Sequence, residues 1–93
     1  MNYEEIKDAK PQKRGKVVDV LEDQDSYVIQ LDENKIFQVA SIAYYVWEMC
    51  DGTKTVQDIV DEISRAANLS EAEVSGPVTQ ILEELSKAEL IVI

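Results

Sequence analysis

The stretch VASIAYYVWEMCDGTKTVQDIVDEI, from Val39 to Ile63, decides the fold of this chain. Ser41 can cap a first helix, and Gly52 stands where a left-handed residue is expected after its last turn. Thr55 and Asp58 form a capping-box pattern, with Asp in place of Glu, that opens a second helix. Apolar residues recur at helical spacing, as Ile42, Val46, Trp47, Met49 and Cys50 in the first helix and as Val56, Ile59, Val60, Ile63 and Ala67 in the second. The stretch therefore predicts helix, Asp-Gly turn, helix.

Three short β-branched segments precede this block. They are Lys16–Leu21, Ser26–Leu31 and Lys35–Val39, separated by turn-forming residues at Glu22–Asp25 and Asp32–Asn34. Connections this short join antiparallel neighbours, so the segments predict a three-stranded antiparallel meander.

A third helix follows the block. Ser70 and Glu73 form another capping-box pattern, and the apolar stripe behind it consists of Val74, Val78, Ile81, Leu82 and Leu85. Proline lacks an N–H donor, so Gly76-Pro77 predicts a kink or a break early in this helix. The apolar tail Leu90–Ile93 either adds a strand or packs on the helices. The predicted fold class is α+β and winged-helix-like, with an N-terminal three-stranded antiparallel sheet followed by three helices.

The chain divides into two parts. Residues 1–15 are polar, mixed in charge and interrupted by Pro11, which predicts a flexible N-terminal arm with a short helical turn at Glu4–Ala9. An arm that packs on a neighbouring subunit or tethers a partner is the alternative. Residues 16–93 are predicted to form a single domain.

Charge argues against nucleic acid as a partner. From Val17 to Ile93 the chain carries four basic and 16 acidic side chains, a net charge of −12. Such a surface repels phosphate backbones and attracts a basic partner. The helix that would enter a DNA groove in a winged-helix protein has four glutamates and one lysine between Ser70 and Lys87.

Enzymatic, metal-binding and membrane functions are not expected either. The chain has no histidine, no phosphate-binding glycine pattern and no calcium-loop motif, so we expect no catalytic residue, no metal and no cofactor. Its one cysteine, Cys50, lies on the apolar stripe and is expected to be buried. No apolar run is long enough to span a bilayer, which predicts a cytoplasmic protein without a membrane partner.

The central block resembles the PqqD-like family of small peptide-binding proteins in pyrroloquinoline quinone biosynthesis and related peptide-modification systems. The matching residues are Ala43, Val46, Cys50, Asp51, Gly52, Thr55, Ile59 and Ile63. The resemblance implies a non-catalytic peptide chaperone that binds a ribosomally made precursor peptide. It also implies a partner enzyme of the radical S-adenosylmethionine type, to which the peptide is presented.

The resemblance also implies where the peptide binds. In the family, the peptide adds as a strand to the third β-strand and lies beside the third helix. An edge strand has unpaired backbone groups that such a peptide can satisfy. The implied peptide-binding residues are Lys35, Ile36, Phe37, Gln38, Val39, Pro77, Val78, Gln80, Ile81, Glu84 and Leu85. Strand alternation places Ile36 and Gln38 on one face and Phe37 and Val39 on the other, and the sequence leaves open which face meets the helix.

Two positions depart from the family pattern. Val39-Ala40 replaces the Leu-Asn pair that many relatives carry, and Gly76-Pro77 stands where an acidic residue is common. The peptide can therefore differ from the quinone precursor. An alternative function is a structural or regulatory winged-helix protein that self-associates as a homodimer by exchanging Leu90–Ile93.

Overall fold

The computed structural model describes all residues from Met1 to Ile93. Its helices and strands follow one another as α1 (Tyr3–Ile6), β1 (Gln12–Lys13), β2 (Lys16–Leu21), a 3-10 turn (Glu22–Gln24), β3 (Ser26–Asp32), β4 (Lys35–Ala40), α2 (Ser41–Met49), α3 (Val56–Ala67), α4 (Glu71–Lys87) and β5 (Ile91–Val92). The predicted α+β arrangement of a sheet followed by three helices, here α2 to α4, is confirmed. No helix combines the length and the apolar character needed to cross a membrane.

The main sheet is the predicted antiparallel meander, in the order β2-β3-β4. Both outer strands are edges of the sheet, but they differ in regularity. The pairing of β2 with β3 is interrupted in mid-strand, where the register shifts between Val17 and Asp19. The pairing of β4 with β3 shifts only beside the turn that joins them. Strand β4 is therefore the more regular edge.

Local capping determines where α3 and α4 begin and where α3 ends. In each predicted capping box, the side chain of the N-cap residue (Thr55 or Ser70) accepts a hydrogen bond from the backbone N–H three residues later. The acidic side chain of that later residue accepts one from the backbone N–H of the N-cap residue. Asn68 ends α3 in the left-handed conformation with φ of 56°. Both capping-box predictions are confirmed.

The start of α2 differs from the prediction. Ala40 occupies the N-cap position without a side-chain cap, and Ser41 is already helical. The Ser41 hydroxyl lies 2.7 Å from Asp25 Oδ1 and 3.0 Å from the Asp25 carbonyl oxygen. The prediction that Ser41 caps the helix is wrong, because its hydroxyl ties the helix to the β2–β3 turn instead.

The turn after α2 requires glycine at position 52. Gly52 has a φ of +83°, which L-residues with a side chain rarely adopt. A Cβ atom there would only displace the end of the exposed Gln12 side chain, so the backbone conformation is the reason for glycine. The backbone N–H of Gly52 donates to Pro11 O at 3.0 Å. The predicted left-handed glycine is confirmed, and the structure adds that the N-terminal segment packs closely on it.

Helix α4 continues through Gly76-Pro77 as one element, so of the two predicted alternatives the break is wrong and the kink stays a prediction. Val74 and Val78, on either side, are 4% and 3% exposed and are held in the core. Pro77 cannot donate to the carbonyl of Glu73, but both residues are exposed and solvent can hydrate that carbonyl. Packing therefore offsets the missing hydrogen bond.

The core lies between the sheet and the three long helices. Its buried side chains come from β3, from the three long helices, from the residue that ends α2 and from the C-terminal tail. They are Ile29, Val46, Trp47, Cys50, Val56, Ile59, Val60, Val74, Val78, Leu82, Leu85, Leu90 and Ile91. Ile42 was predicted on the buried face of α2 but is 59% exposed. It lies in the first turn of α2, beyond the end of the sheet.

The two ends of the chain form a second, two-stranded sheet. Strand β1 pairs antiparallel with β5, so that Gln12 faces Val92 and Lys13 faces Ile91. Leu90 and Ile91 are buried. The tail thus combines the two predicted alternatives, since it both adds a strand and packs in the core.

The segment before β1 contacts two helices. The carbonyl oxygens of Lys7 and Ala9 accept from the first N–H groups of α3, at Gln57 and Val56. The Tyr3 hydroxyl donates to Glu71 Oε1 at 2.8 Å. The mobility of residues 1–15 stays a prediction. These hydrogen bonds would have to break for the segment to move.

Candidate functional site

An apolar groove lies between the edge strand β4 and helix α4. The cavity has a volume of about 290 Å³. We call it the edge groove; its lining consists of Phe37, Gln38, Val39, Ala40, Ile42, Ala43, Ile81, Glu84, Leu85, Ala88 and Leu90. Nine of these eleven residues are hydrophobic, which suits the groove to apolar side chains.

The backbone of β4 presents unpaired groups next to this groove. Ser41 N donates to Asp25 O at 3.0 Å, just beyond the end of the strand. Bonded and non-bonded residue pairs alternate along an antiparallel ladder. Counting back along the β3–β4 register, the N–H and C=O groups of Ile36 and Gln38 point away from β3. No other strand pairs with this edge.

The structure answers which face of β4 meets the helix. Phe37 and Val39 line the edge groove and are partly buried. Ile36 lies on the opposite face and is 59% exposed. Helix α2 follows β4 directly, and α4 packs against α2, so the chain places α4 beside the Phe37 face.

The groove brings together a part of the predicted peptide-binding set. Phe37, Gln38, Val39, Ile81, Glu84 and Leu85 all line it. Lys35, Ile36, Pro77, Val78 and Gln80 do not. Lys35 is at the far end of the strand, where its ammonium lies 3.8 Å from Glu89 Oε1. Pro77 and Val78 line a separate cavity nearer the start of α4.

The remaining groove residues lie outside the predicted set. They are Ala40, Ile42, Ala43, Ala88 and Leu90. The three alanines leave the groove open because their side chains are small. Ile42 and Leu90 carry the apolar pattern of a core position, and nothing in that pattern distinguishes the wall of a groove from the core.

The other edge of the sheet is less suited to pairing with a partner. Natural sheets protect edges with bulges and charged residues, which disturb the row of free backbone groups. Strand β2 has a register shift in mid-strand, next to the charged Asp19. Strand β4 has a regular ladder from Ala40 back to Ile36. The sheet therefore offers one regular open edge, and it is the edge beside the groove.

Cys50 is the one thiol in the chain, and it is fully buried, as predicted. Its Sγ donates to Val46 O at 3.2 Å. Burial, with a smaller contribution from the neighbouring carboxylate of Asp51, raises the pKa of the thiol to about 12. No three His, Cys, Asp or Glu side chains converge as a metal ion would require. Cys50 thus belongs to the core and not to a reactive site.

The Cys50 thiol is expected to resist alkylation by iodoacetamide while the protein is folded. At about pH 8, a pKa of about 12 leaves roughly one thousandth of the thiolate that an ordinary cysteine carries, and the thiolate is the form that reacts. Mass spectrometry of folded protein against protein in concentrated urea measures the difference. Rapid alkylation without loss of the circular dichroism signal would contradict the burial.

A winged-helix-like α+β domain with one open sheet edge beside an apolar helix groove is the class of protein that this fold and site define. The chain belongs to the PqqD family: the family model described as "Coenzyme PQQ synthesis protein D (PqqD)" matches residues 25–91. This match confirms the resemblance of the central block, and it covers β3 through the first residue of β5. Comparison with curated proteins and comparison with solved structures returned no significant match.

Proposed function

We propose that this chain is a non-catalytic peptide chaperone that binds a ribosomally made precursor peptide by strand addition on β4. The bound peptide is then presented to a modifying enzyme, of the radical S-adenosylmethionine type that the family resemblance implies. The observation that carries the proposal is the open edge of β4 directly beside the edge groove. The pathway is one that makes, or is related to one that makes, coenzyme PQQ.

The energetics of strand addition require both parts of the site. Ile36 and Gln38 together offer four outward backbone groups. Each hydrogen bond to them contributes only about 0.5–1.5 kcal/mol. Burial of one Leu or Phe side chain in the groove contributes about 1.5–3 kcal/mol more. The backbone bonds therefore set the register of the peptide, and the groove selects its side chains.

Electrostatics favour a peptide or an enzyme surface with basic residues. The chain has a net charge of −10, and Glu84 stands in the wall of the groove. The same charge opposes nucleic acid, because α4 carries four glutamates against one basic residue, Lys87.

Titration of the ¹⁵N-labelled protein with synthetic leader peptides tests the proposal. The peptides are taken from short reading frames that adjoin the gene. We expect amide shifts to concentrate on Lys35–Ala40 and on the second half of α4, because a new strand changes the hydrogen bonding of the edge. Binding that leaves both segments unshifted would contradict strand addition.

Self-association is the competing use of the open edge. Exchange of the Leu90–Ile93 tail has little support, since that tail pairs with β1 and is buried in its own chain. Sedimentation at high concentration distinguishes the two functions. A stable dimer whose formation protects the amides of β4 from exchange would favour self-association over peptide binding.

A further inference from the structure

A second apolar cavity continues the edge groove along α4. It has a volume of about 230 Å³ and lies among α2, α3 and the first half of α4. We call it the helix cavity. Ile42 and Ile81 line both cavities, so the two cavities adjoin at these side chains.

The helix cavity is open to solvent and rimmed by large apolar side chains. Ile42 is 59% exposed and Leu69, in the α3–α4 connection, is 48% exposed. Pro77 lies on the exposed side of α4. An exposed apolar patch around a concave site is typical of an interaction surface. No segment of the chain covers it, since both termini are paired on the β1–β5 sheet or against α3 and α4.

We infer that the helix cavity takes a bulky aliphatic or aromatic side chain of the same peptide that adds to β4. This inference rests on the proposed function. The supporting observation is continuity: β4 leads through Ala40 into α2, so a strand paired with β4 leaves the edge groove at Ile42 and meets the helix cavity next.

The spacing of the two cavities defines the class of peptide. Along α4, the edge groove is centred near Glu84 and the helix cavity near Pro77, about seven residues or roughly 11 Å apart at 1.5 Å per residue. An extended peptide covers roughly 11 Å in about three or four residues at 3.3 Å each. The preferred ligand therefore carries two apolar side chains about four positions apart, since an even spacing places both on the same face of an extended chain.

Charge adds a second requirement. Glu84 stands in the edge groove and Glu73 in the wall of the helix cavity, whereas neither cavity has a basic residue in its lining. We expect basic residues next to the two apolar anchors, because they complement these carboxylates. An antiparallel peptide would place the second anchor on the N-terminal side of the strand-forming segment, and a parallel one on the C-terminal side.

Selection of a phage-displayed random dodecapeptide library on the full chain supplies the probe. The tightest consensus peptide is synthesised with a fluorophore, and so is a version with the outer apolar anchor changed to Ala. Ala67→Phe fills the helix cavity from the last turn of α3. Ala66→Phe is the matched control, because Ala66 is also exposed on the same turn and lies outside the cavity.

Fluorescence anisotropy is expected to show that the affinity for the peptide falls about tenfold or more when the outer anchor is truncated, since a buried large side chain is removed from the complex. Ala67→Phe should lower the affinity for the intact peptide by a similar factor and should abolish the difference in affinity between the two peptides. Ala66→Phe should preserve that difference. If truncation and Ala67→Phe act additively, or if neither affects binding, the helix cavity takes no peptide side chain.

Different experimental results would contradict the proposed function and this inference. Peptides that shift the amides of β4 but select no second anchor would overturn the inference and leave strand addition intact. A library that yields no peptide bound at β4 would overturn both. The truncated peptide tests the cavity in the wild-type protein, so the result stands even if Ala67→Phe does not fold.

Discussion

Replacing Trp47 with Ala is expected to lower the free energy of unfolding by about 3–5 kcal/mol, as for other buried aromatic residues truncated to Ala. Trp47 is 2% exposed and lies at the centre of the core. A small domain has only about 5–15 kcal/mol of stability in total. Urea denaturation followed by circular dichroism should therefore show a midpoint at a markedly lower urea concentration than that of the wild-type protein.

The reason for so large an effect is that Trp47 connects both ends of the chain. Its indole N–H donates to Leu90 O at 2.9 Å and lies 3.1 Å from Arg14 O. The ring packs on Tyr44, with centroids 6.0 Å apart, and the Lys13 ammonium lies 5.0 Å from its centroid. Truncation removes the support of β1 and β5 together with the core volume.

Two control variants separate these contributions. Trp47→Phe keeps most of the ring and removes the N–H donor, so we expect a smaller decrease in the free energy of unfolding. Tyr45→Ala removes an aromatic side chain of the same helix. Because Tyr45 is 55% exposed, this substitution should lower the free energy of unfolding far less. A loss at Trp47→Ala no larger than that at Tyr45→Ala would contradict the central position of Trp47.

Replacing Gln38 with Pro is expected to weaken peptide binding at least about tenfold, because a net hydrogen bond is lost and a carbonyl of the bound peptide is left unpaired. The N–H of Gln38 is one of the outward donors of β4. Proline removes that donor, and its ring occupies the space of the added strand. Anisotropy titration of a labelled leader peptide measures the change.

The matched control for this variant is Gln38→Ala. Both substitutions remove the side-chain hydrogen bond from Gln38 Nε2 to Gln24 Oε1, at 2.9 Å. Only proline removes the backbone donor, and it does so on an edge strand at a position not bonded to β3, where it is tolerated. Equal affinities of the two variants would show that the peptide does not pair with β4.

Much of the fold and some of the site follow from local rules. The capping boxes at Thr55 and Ser70, the left-handed Gly52 and Asn68, and the strand alternation each depend on a few neighbouring residues. Such rules act within a turn or a strand, so they can be read from the chain alone. They identified the strand β4 and the apolar stripe of α4. The family resemblance then implied a binding site between these two elements, and six of the residues that it implied line the groove.

Long-range packing decided the rest. Whether Phe37 or Ile36 faces α4 depends on how the sheet meets the helices, and the exposure of Ile42 depends on where the sheet ends. Pro77 is tolerated because Val74 and Val78 hold α4 on either side of it.

Local patterns in the chain specify most of β2 to β4 and of α2 to α4, and the sequence also specifies the acidic surface and the membership of a family. Tertiary packing shows that the ends of the chain pair as β1 and β5, that Ser41 bonds Asp25, and that two cavities meet at Ile42 and Ile81. These features join residues that are far apart in the chain. Their free energy comes from burial and hydrogen bonds that exist only once the domain has assembled, so no local pattern encodes them.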